Sequence, residues 1–485
     1  MALRGPGQGR GVLPRSFDVK GGQALSDAVE LTTQTAFDQA ALRAIARAWG
    51  EPGWLSQFRA QAWEAFVGLP LPEPTEEVWR RTPPEWFTWE GLVPAADPSG
   101  AGPLPAEVLD TLATEPDRAG AVVNRNGAPV LVELDPALRA KGVVFTDLRT
   151  AAREHPELVR HFLASVVRPG ESTFTAQHAA FLSGGVFLYV PRAVEVHRPF
   201  VSVEYLDQSG VALFPHVLVV LEEGAQATLV QLSRAPEGTD ALVNSVAELA
   251  VGTSAQLRYV GLQTWSLQVR EVGIVRAEVD RDASLFSLIS GFGGKVVKAF
   301  VQSYLRGVGG SSEMLGAFFV ADHQHYDYHT LQEHFAPHTT SDLLYKDAVM
   351  DAARSIFAGL IRVHPGAQRT NAFQSNRNLI LSPDAKADSK PELEIMANDL
   401  RCTHGSAVSR IDEQHVFYLQ TRGLTRRQAV HMIVEGFFSE VVDRVPLENV
   451  RLFLEKQVAD KMGAQAPLGH LTALRALLEE VATRR

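Results

Sequence analysis

"HVLVVLEEGAQATLVQL" at residues 216–232 is followed by "VAELAVGTSAQLRYVGL" at 246–262 and "GIVRAEVDRDASLFSLIS" at 273–290. These are short β-prone runs joined by brief polar breaks, with no helical period between them. Similar strand starts recur at Ala225, Ala255, Ala283, Ser312 and Ser341, in steps of 30, 28, 29 and 29 residues. A fixed period of this size marks stacked structural units. Because each unit holds strands and no helix, a β-helix is expected; a β-sandwich with chance spacing is the alternative. The Asn-Gly and Asp-Gly turns of a hairpin meander are missing from this region, which tips the reading to the β-helix.

Outward from this block the texture becomes helical. "FDQAALRAIARAWG" has apolar residues at helical spacing and stops at Gly50, and "PGWLSQFRAQAWEAFVGLP" repeats the pattern between prolines. The passage "LPLPEPTEEVWRRTPPEWFTW" has no sustained period and reads as extended chain lying against a domain. Helices are expected near 105–116 and 148–167. On the other side, Asp412 can cap "EQHVFYLQTR". Thr425 with Gln428 makes a capping-box pattern, and Pro446 ends the helix that it opens. "LENVRLFLEKQVADKM" and "LGHLTALRALLEEVATRR" complete the run. The expected organisation is a flexible tail over 1–33, a helical domain over 34–170, a β-helix over 171–411 and a helical domain over 412–485.

The chain has 485 residues, 45% hydrophobic and 21% charged, which suits a globular protein with a large core. Its net charge of -10 repels phosphate backbones, so no nucleic-acid partner is expected. No run of 18 apolar residues exists, so no membrane span is expected. The Gly- and Pro-rich start lacks the apolar run of a secretory signal, and the expected location is the cytoplasm.

Common enzyme motifs are absent. "GFGGKVVK" at 291–298 glances at a phosphate loop, but Val296 follows Lys295 where Ser or Thr is needed. The densest polar run is "ADHQHYDYHTLQEHFAPHTTSD" at 321–342. On a strand, His323, His325, Asp327 and His329 share one face, with His334 and His338 following, and such a set can bind a divalent metal. The other reading is the outer face of a solenoid, since same-face neighbours lie roughly 6.6 Å apart, too far to converge without a bend.

The single cysteine, Cys402, stands two residues before His404 in "DLRCTHGSAV". On a strand both side chains share a face. Arg401 and His404 are expected to lower the thiol pKa. A lone buried cysteine is the plainer reading. One thiol and one imidazole cannot satisfy a metal needing about four ligands, so any metal or cluster there draws ligands from another chain. The pair points to an interface.

Several blocks carry a family resemblance: "EPGWLSQFRAQAWEAFVGLPLP", "EEVWRRT", "EHFAPHTTSDLLYK", and "FQSNRNLILSPDAKADSKPELEIMANDLRCTHGSAVSRIDEQHVFYLQTRGL". From about residue 50 to 460 the chain resembles the SufD branch of the SufB/SufD family of iron–sulfur cluster assembly. The resemblance implies a right-handed parallel β-helix between helical domains, and a non-catalytic scaffold. It implies pairing with SufB through the β-helix and with the ATPase SufC through the C-terminal helices, as one SufB, two SufC and one SufD. The family's Cys-x-His falls on Cys402 and His404, which implies a transient cluster shared with SufB and no cofactor held by the isolated chain. SufB-like chains carry a cysteine where this one has Ser375, so the sulfur-receiving role is not expected here. Phe417, Tyr418, Val430, Ile433, Phe437 and Phe438 are the expected SufC contacts. A homodimer through the β-helix edge is expected of the isolated chain. Two rival readings remain, a stand-alone histidine-rich metal-binding protein and a β-helix carbohydrate-active enzyme.

Overall fold

Residues 36–95 and 104–463 are described by a computed structural model. The expected tail over 1–33 and the expected helix from Leu468 lie outside the described residues. From Gly184 onward the chain winds as a parallel β-helix of about eight turns. Successive strands alternate between two sheets. One sheet runs through Val296–Leu305, His325–His334 and Arg354–Val363 to Lys386–Ile395. The other runs through Ser311–Val320, Thr340–Val349 and Thr370–Ile380 to Leu400–Arg410.

The register shows what sets the period. Gln226 pairs with Gln256, Gln256 with Ser284, Ser284 with Ser311 and Ser311 with Thr340. The expected step from Ala283 to Ser312 is therefore two residues too long, because Ser312 pairs with Leu285. A slip of two keeps every side chain on its own face, so the hydrophobic pattern cannot reveal it. The corner before each of these five strands is held by a left-handed residue two positions ahead of the first paired one: Gly224, Ser254, Asp282, Gly309 and His338. Stacked corners also bond to one another, as Ser254 N to Arg281 O at 2.8 Å and Asp282 N to Val308 O at 2.9 Å. Gly tolerates this conformation freely and Asp at modest cost, which fits the polar breaks between the apolar runs.

Alternation sends half the side chains inward. Phe318, Tyr326, Tyr328, Tyr345 and Phe357 stack inside the solenoid, with Phe318 and Tyr328 centroids 4.0 Å apart. Gly316 makes room for them, since a Cβ there would lie 2.6 Å from the Tyr345 ring. The outward face of the second sheet is covered by the C-terminal helices Arg426–Val442 and Glu448–Lys461. Val434, Phe438, Val441 and Leu454 bury Leu315, Phe319, Leu344 and Leu379. N-terminal helices and the Pro- and Trp-rich passage cover the first sheet, with Trp79, Phe87, Phe174 and Phe181 in one cluster.

Residues 34–170 are not helical throughout. Gly120–Arg125 and Ala128–Leu134 form a hairpin, and Val144–Asp147 pairs antiparallel with Gly184–Val190, so these strands extend both sheets. The hairpin turns at Asn126 and Gly127, both left-handed, which is a turn signal readable in the sequence.

Candidate functional site

At the far end no described residue caps the β-helix. The strands Lys386–Ile395 and Leu400–Arg410 have ladder partners on one side only. Neither strand has a buried residue, whereas Thr370–Ile380, one rung before, is mostly buried. Phe373, Ile395, Met396 and Val408 are large apolar side chains exposed around this end. An open edge of this kind is a template for another chain.

Cys402 and His404 stand on that last rung, in register with Ala372 and Gln374. Both point along the interior face. Cys402 is half-buried against Ile361, Val363, Ala372 and Leu393, while His404 is exposed. Burial pushes the Cys402 thiol up, against a backbone hydrogen bond at Ala372. The expected lowering by Arg401 and His404 is thus overturned. Arg401 points to the opposite face into solvent, and apolar neighbours set the thiol's surroundings. Such a thiol releases its proton when a metal takes its place. Among the described residues no three His, Cys, Asp or Glu side chains gather where they could hold a metal ion. The end therefore offers two donors, one soft and one borderline.

The histidine run is not such a cluster. Asp327, on the outer face of the first sheet, accepts from Lys298 Nζ at 2.6 Å and Thr82 Oγ1 at 2.6 Å, and lies 3.0 Å from His329 Nε2. Lys298 Nζ also donates to Val78 O at 2.5 Å and sits over the Trp79 ring. Burial alone would raise Asp327, but the His329 hydrogen bond and the Lys298 charge outweigh it and hold the carboxyl well below its usual range. His325 is 2.8 Å from Thr82 Oγ1, and burial lowers it to about 4. His334 faces the interior between Thr339 at 2.7 Å and Ser341 at 2.9 Å. His338 fills a left-handed corner and His323 is exposed at another. The group pins residues 78–87 to the β-helix. Lys298 and Thr82 meet Asp327 from distant parts of the chain, and no local pattern in the sequence marks them as its partners.

The interior turns polar near the open end, where Asp347, Gln374, Asn376 and Asn378 are all buried. Burial pushes Asp347 up to about 7, against a hydrogen bond from Ser355 at 2.6 Å. An unfolded aspartate titrates near 3.9, so the folded chain binds the extra proton between roughly pH 4 and 7, and stability falls as pH rises through that window. Asp347→Asn removes this slope. Relative to the parent, the variant is expected to gain on the order of 2–4 kcal/mol between pH 4.5 and 8, read from urea midpoints. Equal slopes in the two chains would refute the assignment.

On the C-terminal helices, Phe417 and Tyr418 are 68% and 54% exposed. Val430, Ile433 and Phe437 are partly buried. Phe438 is a correction: it is 2% exposed and stacked on Phe319, part of the seam between helix and sheet, so it has no surface for a partner. Spacing on a helix does not tell an inward apolar face from an outward one.

Comparison with known proteins follows the same lines. Residues 205–437 match the family described as SUF system FeS cluster assembly, SufBD core domain, and residues 123–201 match the SufBD protein N-terminal region. The chain is 30% identical to the iron–sulfur cluster assembly protein SufD of Bacillus subtilis, over 89% of this chain and 99% of the relative. It is 26% identical to a SufBD family protein of Staphylococcus epidermidis, over 82% of this chain and 87% of that one. Matches over nearly its whole length mean that the chain belongs to the SufBD family of iron–sulfur cluster assembly proteins.

Proposed function

We propose that this chain is a non-catalytic scaffold whose open β-helix end pairs with SufB, with Cys402 and His404 supplying two ligands to a nascent cluster. The observation that carries the reading is the last rung, which among the described residues has no ladder partner on its outer side and presents these two donors beside exposed apolar side chains. Two donors fall short of the four that an iron–sulfur cluster takes, and a facing chain would complete the set. The cluster is the cargo of this assembly and not a resident group. The isolated chain would cover the same edge with a second copy. The C-terminal helices are the proposed seat of the ATPase SufC, supported by the exposed Phe417 and Tyr418. Hydrolysis by two SufC chains would move the subunits they hold and open the seam at Cys402. No described helix is long and apolar enough to cross a membrane, and the proposed setting is the cytoplasm.

The test is Cys402→Ser in the assembled complex. Serine keeps the size and packing of the side chain, so subunit stoichiometry by light scattering should be unchanged. Cluster formation, followed by visible absorbance and transfer to an apo-acceptor, should fall at least ~10-fold, the scale on which even a neighbour of a metal ligand acts. Normal transfer by the variant would remove Cys402 from the site.

A further inference from the structure

Gln374 lies directly beneath His404, as its Cα partner on the neighbouring strand, and both face the interior. Parallel neighbours stand about 4.8 Å apart, within reach of side chains that stack along a rung. The Gln374 side chain crosses the interior to the opposite sheet, where its Nε2 donates to Gly359 O at 3.2 Å. That carbonyl identifies the nitrogen end of the amide, so the other end is the oxygen. Gly359 is what lets the amide reach there, since a Cβ at that position would lie 2.4 Å from Nε2 and 2.6 Å from Cδ.

The oxygen is left over. Gln374 is fully buried, and its Oε1 has no hydrogen-bond partner among the described residues. A buried acceptor without a donor costs about 1–3 kcal/mol, which favours a donor that reaches it in the working state. On the strand Leu400–Arg410 the inward Cys402 is in register with Ala372, Ser406 with Asn376, and His404 with Gln374, while on the facing strand Pro391 is in register with Gly359. Proline has no N–H to give, so of the side chains in register with Gln374 and Gly359 the imidazole of His404 is the one that can donate, and its ring is exposed.

We propose that Gln374 is a positioning residue for His404: once a partner covers the open end, Oε1 accepts the imidazole N–H and leaves the other ring nitrogen, unprotonated, for iron. A ligating histidine nearly always donates its second ring nitrogen to an acceptor, which fixes the tautomer and the ring plane. The inference rests on the proposed role of His404.

The experiment uses the full chain, labelled with 15N at histidine and assembled with SufB and SufC from the same organism. Solid-state 15N spectra of the ring nitrogens are recorded, with the His404 signals identified by their loss in His404→Asn. The parent should show a single tautomer for His404. Gln374→Leu should convert it to a mixture and lower cluster formation 10–100-fold, the range for loss of such a partner. Gln374→Glu, whose neutral acid can still donate to Gly359 O and accept from the ring, should restore both. Gly359→Ala, which displaces the amide while keeping Gln374, should repeat the tautomer change if Gln374→Leu proves too unstable to assemble. Unchanged His404 signals in either disruptive variant would overturn the inference. Normal cluster formation in His404→Asn would instead overturn the reading on which it rests.

Discussion

Asp327→Ala is expected to cost the folded chain about 3–5 kcal/mol, the range for removing one partner of a buried ion pair. Lys298 and Asp327 are both almost fully buried, at 0% and 1% side-chain exposure. Burial already draws the Lys298 ammonium below its usual range, with Asp327 opposing. Without the carboxylate, Lys298 must either hold an uncompensated charge or lose its proton. Thr82 loses an acceptor in the same step. The damage should be local first, releasing residues 78–87 from the sheet, and Trp79 and Trp86 make that visible by fluorescence. Lys298→Met should be destabilising for the mirror reason. The double variant should recover part of the loss, because an apolar pair of similar volume can replace a buried ion pair at little cost. Midpoints in urea for the four chains check this. A single-variant loss under about 1 kcal/mol, or strictly additive losses in the double variant, would show that the pair does not anchor the passage.

The same cluster shows why parts of the molecule were legible in the sequence and others were not. The β-helix could be read because strand length and corner length repeat, and repetition survives without knowledge of any contact. The two-residue slip at Ser312 escaped because it preserves the alternation that the reading relied on. The hairpin at Asn126 and Gly127 was within reach of local turn chemistry, but it lies among helices and so was absorbed into a helical region. The role of His325 and His329 was out of reach for a different reason. Their partners, Lys298 and Thr82, are brought in from other turns of the chain, and no spacing along the sequence encodes that meeting. Cys402 and His404 were recognisable as a pair, since period two is local. The rise in the thiol pKa was not, because it depends on Ile361 and Val363 from the rung beneath.

The largest effect on assembly is expected at Phe417 and Tyr418. Deleting the helices outright would not test the proposed SufC seat. Val434, Phe438, Val441 and Leu454 form one cluster with Leu315, Phe319 and Leu379, so a chain ending near 411 would expose the apolar face of a sheet and fail for that reason alone. Phe417 and Tyr418 separate the two roles. They lie on the short helix Glu413–Thr421, whose one buried residue is Val416, and they spend little of their surface on this chain's own core. Exposed large apolar side chains need no explanation singly, but two adjacent aromatics on a helix next to a folded seam fit a binding anchor. Aromatic anchors of this kind typically contribute 2 kcal/mol or more each, so Phe417→Ala with Tyr418→Ala should weaken SufC binding at least ~100-fold. The thermal midpoint should stay within about 2 °C of the parent, since exposed substitutions rarely move stability by more than about 0.5 kcal/mol. Calorimetric titration of SufC into the parent and the double variant decides the matter. Unchanged affinity with an unchanged midpoint would move the SufC seat off this helix, toward the partly buried Val430, Ile433 and Phe437 or away from the C-terminal helices altogether.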